Sequence, residues 1–265
     1  MPYTTSDGTR IYWEESGTGE PLLLIMGLGY PHEMWHRTRP LVSAHYRTIL
    51  FDNRGVGKSD VPQGAYSIAQ MAADAAAVLD AAGIARAHVF GVSMGGMIAQ
   101  EFALNYPKRV NRLVLGCTAC GGRNAIPAAP NVLGLLMARA TMTPEEGAEA
   151  MAPFIYDAST PRERIEEDLA IRRRDYPKAA GYLGQVQAIF GWSAFDRLGL
   201  IRAPTLIIHG ETDQLVPAEN ARVLARAIAG SRLVMLPHAS HIFVTDQPEA
   251  SHREVLAFLG ERSAT

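Results

Sequence analysis

The stretch Ala87–Gln100 reads Ala-His-Val-Phe-Gly-Val-Ser-Met-Gly-Gly-Met-Ile-Ala-Gln, and it decides the fold of this chain. An apolar run at Val89 and Phe90 leads into Gly91-Val92-Ser93-Met94-Gly95, and a helix-compatible segment follows at once. A turn this tight crowds the positions two before and two after the serine, so both must be nearly bare. The pattern predicts that Ser93 is presented at the top of a sheet, beside the first N–H groups of a helix.

Short apolar runs and helix-compatible segments alternate outside this stretch. The runs are continuous rather than alternating, which is typical of parallel strands covered on both faces. The order predicts an α/β fold with a doubly wound, mostly parallel sheet. A capping-box pattern at Ser67-Ile68-Ala69-Gln70 opens a helix that ends near Gly83. The predicted strands are Thr9–Glu15, Leu22–Met26, Thr48–Asp52, Val89–Phe90, Leu113–Leu115, Thr205–Ile208 and Leu233–Leu236, and further helices are predicted at Ser93–Tyr106, about Pro217–Ala229 and about Pro248–Gly260.

Residues 121–197 break this rhythm. They contain no convincing strand, they are rich in Ala, Met, Arg and Glu, and they carry several prolines. Helix starts are predicted at Thr143-Pro144-Glu145-Glu146 and within Ser159–Glu167. The sequence therefore predicts a helical insertion, a cap, between residues 1–120 and 198–265 of one core domain. Most of its aromatic and Met side chains are expected to pack the insertion onto that core.

Composition excludes several classes of partner. The chain has 265 residues, 48% of them hydrophobic, and a formal net charge of −2, so no basic field attracts nucleic acid or an acidic membrane. The start of the sequence resembles no signal peptide, and the longest apolar runs are strand-sized. We expect a cytoplasmic protein, and self-association stays open. Cys117 and Cys120 form a C-x-x-C pattern, for which packing near a strand end is favoured over redox chemistry.

A serine hydroxyl is a poor nucleophile at neutral pH and needs a base that is oriented by a carboxylate. Both should lie in loops at the carboxyl ends of strands. The loop His209–Asp213 offers Asp213, which we favour over Glu211 because a turn into a helix follows it. Asp52 and Asp246 are weaker candidates.

The loop Pro237–His241 supplies the base. Its two histidines compete, and we favour His241 over His238 because His241 leads into the last helix. His209 is expected to pack at a strand end. The sequence has no metal-ligand spacing, so neither a metal nor another cofactor is expected.

Two backbone amides are candidates for stabilising a developing oxyanion. The amide of Met94 follows the serine directly. A second donor is expected from Gly27-Leu28-Gly29, the loop that leaves an early strand, because its glycines let the backbone approach a substrate.

Together these segments resemble the α/β-hydrolase superfamily over nearly the whole chain, and most closely its serine esterase and 3-oxoadipate enol-lactonase branch. The resemblance implies Ser93 as nucleophile, Asp213 as acid and His241 as base, with the amides of Leu28 and Met94 as the oxyanion hole. Serine rather than aspartate at position 93 argues against the epoxide-hydrolase and haloalkane-dehalogenase branches. The matching segments are Met26–Gly29, Asp52–Ser59, Gly91–Gly96, Gly210–Asp213 and His241, with Trp35 supporting the branch.

One departure from the family pattern is Met26-Gly27 where many members carry His-Gly. An amide donor at Leu28 needs no side chain at position 26, so the chemistry should survive. The expected activity is cofactor-free hydrolysis of a small-molecule ester or lactone. Thioester, amide, C–C or peracid chemistry, a lyase, and a non-catalytic binding protein are the alternatives. The residues expected at the substrate, Gly27, Leu28, Trp35, Met94, Trp192 and Ile242, carry no charge and predict a largely apolar substrate.

Overall fold

The computed structural model describes residues 2–261. An eight-stranded sheet runs through them, and its strands lie in the order β1 (Tyr3–Ser6), β2 (Thr9–Ser16), β4 (Tyr46–Phe51), β3 (Glu20–Ile25), β5 (Ala87–Val92), β6 (Val110–Gly116), β7 (Thr205–Gly210) and β8 (Arg232–Leu236). The first two strands are antiparallel to their neighbours, and every other pairing is parallel. The predicted α/β class and mostly parallel sheet are confirmed.

The sequence did not predict strand β1. Its residues, Tyr-Thr-Thr-Ser, form no apolar run, and two of the four are exposed at the edge of the sheet. Antiparallel pairing with β2 supplies the hydrogen bonds of this strand. A tertiary contact rather than local burial therefore defines it.

Ten α-helices surround the sheet within residues 2–261. The predicted capping box is present: the Ser67 side chain accepts from the Gln70 amide, and the Gln70 side chain accepts from the Ser67 amide. None of these helices is both long and apolar enough to cross a bilayer. The helices are α1 (Arg39–Ser43), α2 (Ile68–Ala81), α3 (Met94–Asn105), α4 (Pro130–Ala138), α5 (Pro144–Ile155), α6 (Arg162–Arg174), α7 (Ala179–Phe190), α8 (Glu219–Ala227), α9 (Phe243–Asp246) and α10 (Pro248–Gly260).

Helices cover both faces of the sheet, which explains its continuous apolar runs. In β3, Leu23 and Ile25 join the core that also holds residues of α2, α3 and α8. Leu22 and Leu24 join the core on the other side, with residues of α9 and α10. Successive side chains of a strand point to opposite faces, so a strand buried on both sides must be apolar throughout.

Residues 121–197 hold helices α4 to α7. Gly121 and Ser193 form an isolated antiparallel bridge near the two ends of this segment. Helix α5 begins with a second capping box between Thr143 and Glu146. We refer to residues 121–197 as the inserted segment.

Candidate active site

The turn after β5 holds Ser93 in a strained conformation. Ser93 has φ 56° and ψ −123°, values that L-residues rarely adopt and that cluster at functional sites. A Cβ at Gly91 would collide with the carbonyl of Gly95, and a Cβ at Gly95 would collide with the carbonyl of Ile25. Both glycines are therefore required, as the sequence predicts. The turn also places Met94 at the first helical position, where the amide has no carbonyl partner within the helix.

Asp213 and His241 contact each other at the ends of β7 and β8. The Nδ1 of His241 lies 2.8 Å from the Oδ2 of Asp213. A carboxylate can only accept, so Nδ1 carries the proton and Nε2 is left as a base. The other oxygen, Oδ1, accepts from the amides of Leu215 at 2.9 Å and Val216 at 2.8 Å. These bonds fix the carboxylate, which in turn orients the imidazole.

A second histidine shares the Asp213 carboxylate. The Nε2 of His209 lies 2.8 Å from the carbonyl oxygen of Val216 and 3.2 Å from Oδ2 of Asp213. Burial alone would raise the pKa of Asp213, but the charge of His241 and the hydrogen bonds from both histidines outweigh burial and hold the pKa well below its ordinary value. Asp213 therefore stays ionised at neutral pH.

The side chains that competed with Asp213 and His241 for the roles of acid and base do not take part in this contact. Glu211 and His238 are exposed. Asp52 accepts from the amide and ring of His32, both at 2.7 Å. Asp246 accepts from the amide of Ser240 at 2.7 Å, so it braces the loop that carries the neighbouring histidine.

The loop that leaves β3 lies against Ser93. A Cβ built on Gly27 would lie 3.1 Å from the Cβ of Ser93, so the backbone of this loop packs directly against the serine. The side-chain amide of Asn53 donates to the Met26 carbonyl at 2.9 Å, and Gln185 accepts from the Gly29 amide at 2.8 Å. The sequence predicts neither of these positioning residues, because only the fold brings them to the loop.

A cavity of about 410 Å³ lies between the sheet and the inserted segment. Ser93 and His241 line it. Of the residues expected at the substrate, Gly27, Leu28, Trp35, Met94 and Ile242 line the cavity as well.

Trp192 lies apart from this cavity. Its indole N–H donates to Glu101 at 2.8 Å, and its ring and carbonyl pack against Gly121. The side chain thereby joins the end of the inserted segment to helix α3. Its role in this structure is to pack the two parts together.

The cavity also differs from expectation in its charge. Most of its lining is apolar, but Arg139 and Arg172 of the inserted segment are part of it. The sequence singles out neither residue, because both lie in a segment that is rich in arginine throughout. In α6, Arg172 is the first of three consecutive arginines, and periodicity alone does not show that it faces inward while Arg174 is exposed. The residues predicted at the substrate are uncharged, but the cavity also holds these two arginines, which the sequence did not predict there.

Two groups of side chains within residues 2–261 place three potential metal-ligand atoms within 4.8 Å of one another. In Cys117–His209–Asp213, burial raises the pKa of the Cys117 thiol well above its ordinary value, and the carboxylate is already paired. In His32–Glu33–Asp52, the histidine ring already forms a hydrogen bond with Asp52. We assign both groups a structural role. Cys117 and Cys120 are buried free thiols, in agreement with the packing role predicted for them.

Known proteins resemble this chain over almost its full length. A family model described as alpha/beta hydrolase fold matches residues 20–248. A 2-hydroxy-6-oxononadienedioate/2-hydroxy-6-oxononatrienedioate hydrolase of Burkholderia vietnamiensis is 34% identical, with 96% of this chain and 92% of that protein covered. A poly(3-hydroxyalkanoate) depolymerase of Ectopseudomonas oleovorans is 31% identical, with 90% and 84% covered.

Among solved structures, the enol-lactonase from Burkholderia xenovorans superposes with a TM-score of 0.88 at 30% identity, and 98% of this chain and 100% of that chain are covered. These three proteins are named as a hydrolase, a depolymerase and an enol-lactonase, and they differ in the compounds for which they are named. The sheet order, the strained serine turn and the full-length match agree with one another. This chain belongs to the alpha/beta hydrolase fold family.

Proposed function

We propose that this protein is a serine hydrolase that cleaves a carboxylic ester or lactone through an acyl-enzyme on Ser93. The 2.8 Å contact between His241 and Asp213 carries the proposal, because it leaves the other ring nitrogen of His241 as a base in the cavity that Ser93 lines. A base held in the correct tautomer by a buried carboxylate is what a weak hydroxyl nucleophile needs. No cofactor enters this mechanism.

In the proposed mechanism Ser93 Oγ attacks the substrate carbonyl while its proton passes to Nε2 of His241. The amides of Leu28 and Met94 stabilise the resulting oxyanion, and each such donor contributes about 3 kcal/mol to catalysis. His241 then gives the proton to the leaving alkoxide. In the second half, His241 takes a proton from water, the hydroxide attacks the acyl-enzyme, and the acid is released as Ser93 regains its proton.

The comparisons support hydrolysis but leave the bond open. The printed names of the similar proteins cover a lactonase, a polyester depolymerase and a hydrolase of an oxo-dienedioate. One catalytic arrangement serves several bond types, so the bond has to be established by assay. A panel of p-nitrophenyl esters, lactones and thioesters of graded chain length makes this assignment.

The nucleophile is tested with Ser93→Ala and, as control, Ser159→Ala at an exposed position. We expect Ser93→Ala to lose almost all ester hydrolysis while the control keeps it. A fluorophosphonate probe should add to the Ser93 peptide of the wild-type protein, as seen by mass spectrometry. Full activity of Ser93→Ala, or labelling elsewhere in the chain, would refute the assignment.

A further inference from the structure

In the described part of the chain, two arginines are buried at the cavity wall without a salt bridge to a carboxylate. Arg139, in the 3-10 turn that follows α4, is 3% exposed, and Arg172 of α6 is 1% exposed. Within residues 2–261, neither guanidinium has a carboxylate oxygen within 4.0 Å. The charge of Asp168 acts on Arg172. This carboxylate already accepts hydrogen bonds from the hydroxyls of Tyr156 at 3.0 Å and Thr245 at 2.7 Å.

Tyrosines surround these two charges instead. The hydroxyl of Tyr30 accepts from Arg139 at 2.7 Å and from Arg172 at 3.1 Å. The guanidinium carbons lie 5.0 Å and 4.4 Å from the centre of the Tyr30 ring, and Arg139 also faces the rings of Tyr176 and Tyr182. Stacking on aromatic faces compensates part of the cost of burying a cation, but it supplies no negative charge.

Each of the two arginines also keeps a buried N–H donor without a hydrogen-bond partner among the described residues. The Nε of Arg139 and the Nε of Arg172 are both buried, and neither has a hydrogen-bond partner. Arginine stays protonated in proteins, so neither group can escape the cost of burial by losing its charge. Two like charges that share one neutral acceptor are costly unless an anion joins them.

We propose that Arg139 and Arg172 form an anion subsite that binds a carboxylate on the substrate, away from the carbonyl that Ser93 attacks. A carboxylate has two oxygens and matches the planar donor fork of arginine, and such charge-assisted bonds are stronger than neutral ones. The apolar remainder of the cavity fits a hydrocarbon body between the two ends. The substrate class is therefore a monoester or lactone of a dicarboxylic acid. This inference rests on the proposed function for its substrate, although the subsite can be tested without catalysis.

The first experiment compares p-nitrophenyl monoesters of dicarboxylic acids, from succinic to suberic, with matched neutral esters. In each neutral partner an isopropyl group replaces the terminal carboxylate, so that shape is kept and charge is lost. We expect kcat/KM to favour the anionic ester by roughly tenfold or more at the best chain length. Equal or better turnover of the neutral partner at every length would overturn the subsite.

Variants of the two arginines test whether these residues cause the preference for the anionic ester. In Arg139→Met and Arg172→Met, the ratio of kcat/KM for the anionic and neutral partners should fall at least tenfold. The matched control, Arg174→Met, removes an exposed charge from the same helix as Arg172 and should keep the ratio. Arg172→Lys retains the charge without the fork, and it provides a second variant if the methionine proteins fold poorly; its ratio should fall between those of the wild type and Arg172→Met.

A binding measurement separates this inference from the proposed reaction. Monomethyl glutarate and monomethyl adipate are titrated into Ser93→Ala by calorimetry, and the dimethyl esters serve as neutral controls. Tighter binding of the monoesters supports the subsite even if no ester is hydrolysed. Active hydrolysis of neutral esters together with equal binding of monoesters and dimethyl esters would refute the subsite and leave the proposed function standing.

Discussion

The side-chain carbonyl of Gln185 on helix α7 accepts a hydrogen bond from the backbone amide of Gly29 at 2.8 Å. The other end of the same side chain donates to the carbonyl of Arg54 at 2.9 Å. Gln185 is buried, so one side chain of the inserted segment fixes two loops at the carboxyl ends of β3 and β4. The inserted segment therefore does more than cover the cavity, because it holds the loop that carries the Leu28 amide.

Replacing Gln185 with leucine should lower kcat more than it raises KM. The Gly29 amide would lose its acceptor, the loop would shift, and the Leu28 amide would lose alignment with the oxyanion. Because a small misplacement of an oxyanion donor is costly in catalysis, we expect roughly a tenfold to hundredfold loss of kcat. Steady-state kinetics on a p-nitrophenyl ester measures it. Gln187→Leu, at an exposed position on the same helix, is the control, and an equal loss there would contradict the positioning role.

Replacing Asp213 with asparagine should reduce kcat by on the order of 10³- to 10⁴-fold, because the amide would favour the wrong tautomer of His241. Glu211→Gln is the matched control in the same loop and should stay close to wild-type activity. Activity is followed across pH 6 to 9. Loss in Glu211→Gln with retention in Asp213→Asn would reverse the assignment of the acid.

Alanine substitutions at Gly95 and Gly134 should change the stability of the protein in opposite directions. A Cβ at Gly95 would collide with the backbone carbonyl of Ile25, which cannot rotate away, so Gly95→Ala should destabilise or unfold the protein. Gly134 lies within helix α4 with open space around its Cα, so Gly134→Ala should raise the free energy of unfolding by about 0.5–1 kcal/mol. Urea denaturation measures both. Stability of Gly95→Ala equal to that of the wild type would disprove the tight packing of the turn.

Asp246 should make stability depend on pH. Burial is the main cause that raises its pKa, to about 6, against the hydrogen bonds from Thr160 and Ser240. The folded protein then binds this proton more tightly than the unfolded chain does. The contribution to stability is complete below the unfolded pKa near 4 and is lost as the pH rises through the folded pKa.

Relative to Asp246→Asn, which does not titrate, the wild-type protein should therefore lose about 1 kcal/mol of unfolding free energy between pH 5 and pH 7. Urea denaturation at intervals of half a pH unit follows this difference. A constant difference between the two proteins over that range would show that Asp246 has an ordinary pKa.

Local patterns made much of the fold predictable. The capping box at Ser67 and the glycines around Ser93 act through contacts within a few residues, so the sequence predicts them directly. Continuous apolar runs revealed β3 and β5 because both faces of those strands are buried. The polar edge strand β1 has no such signal, because its partner β2 supplies what its own residues lack.

The candidate site was predictable only in part, for the same physical reason. Asp213 and His241 follow strands, and parallel strands bring their carboxyl ends to one edge of the sheet, so the sequence predicted both residues. Gln185 and Asn53 act through single hydrogen bonds between distant parts of the chain, which no local pattern records.

By itself, the sequence determined the class of fold and the strained serine turn, and it pointed to the carboxylate and the imidazole that follow later strands, because each of these signals depends on residues close together in the chain. Only the tertiary structure decided the character of the cavity. The sequence did not single out Arg139 or Arg172, and it predicted Trp192 as a substrate contact. Packing buries both arginines against Tyr30 and turns Trp192 toward Glu101. Which face of a helix is buried depends on the surface it meets, and that surface comes from distant parts of the chain.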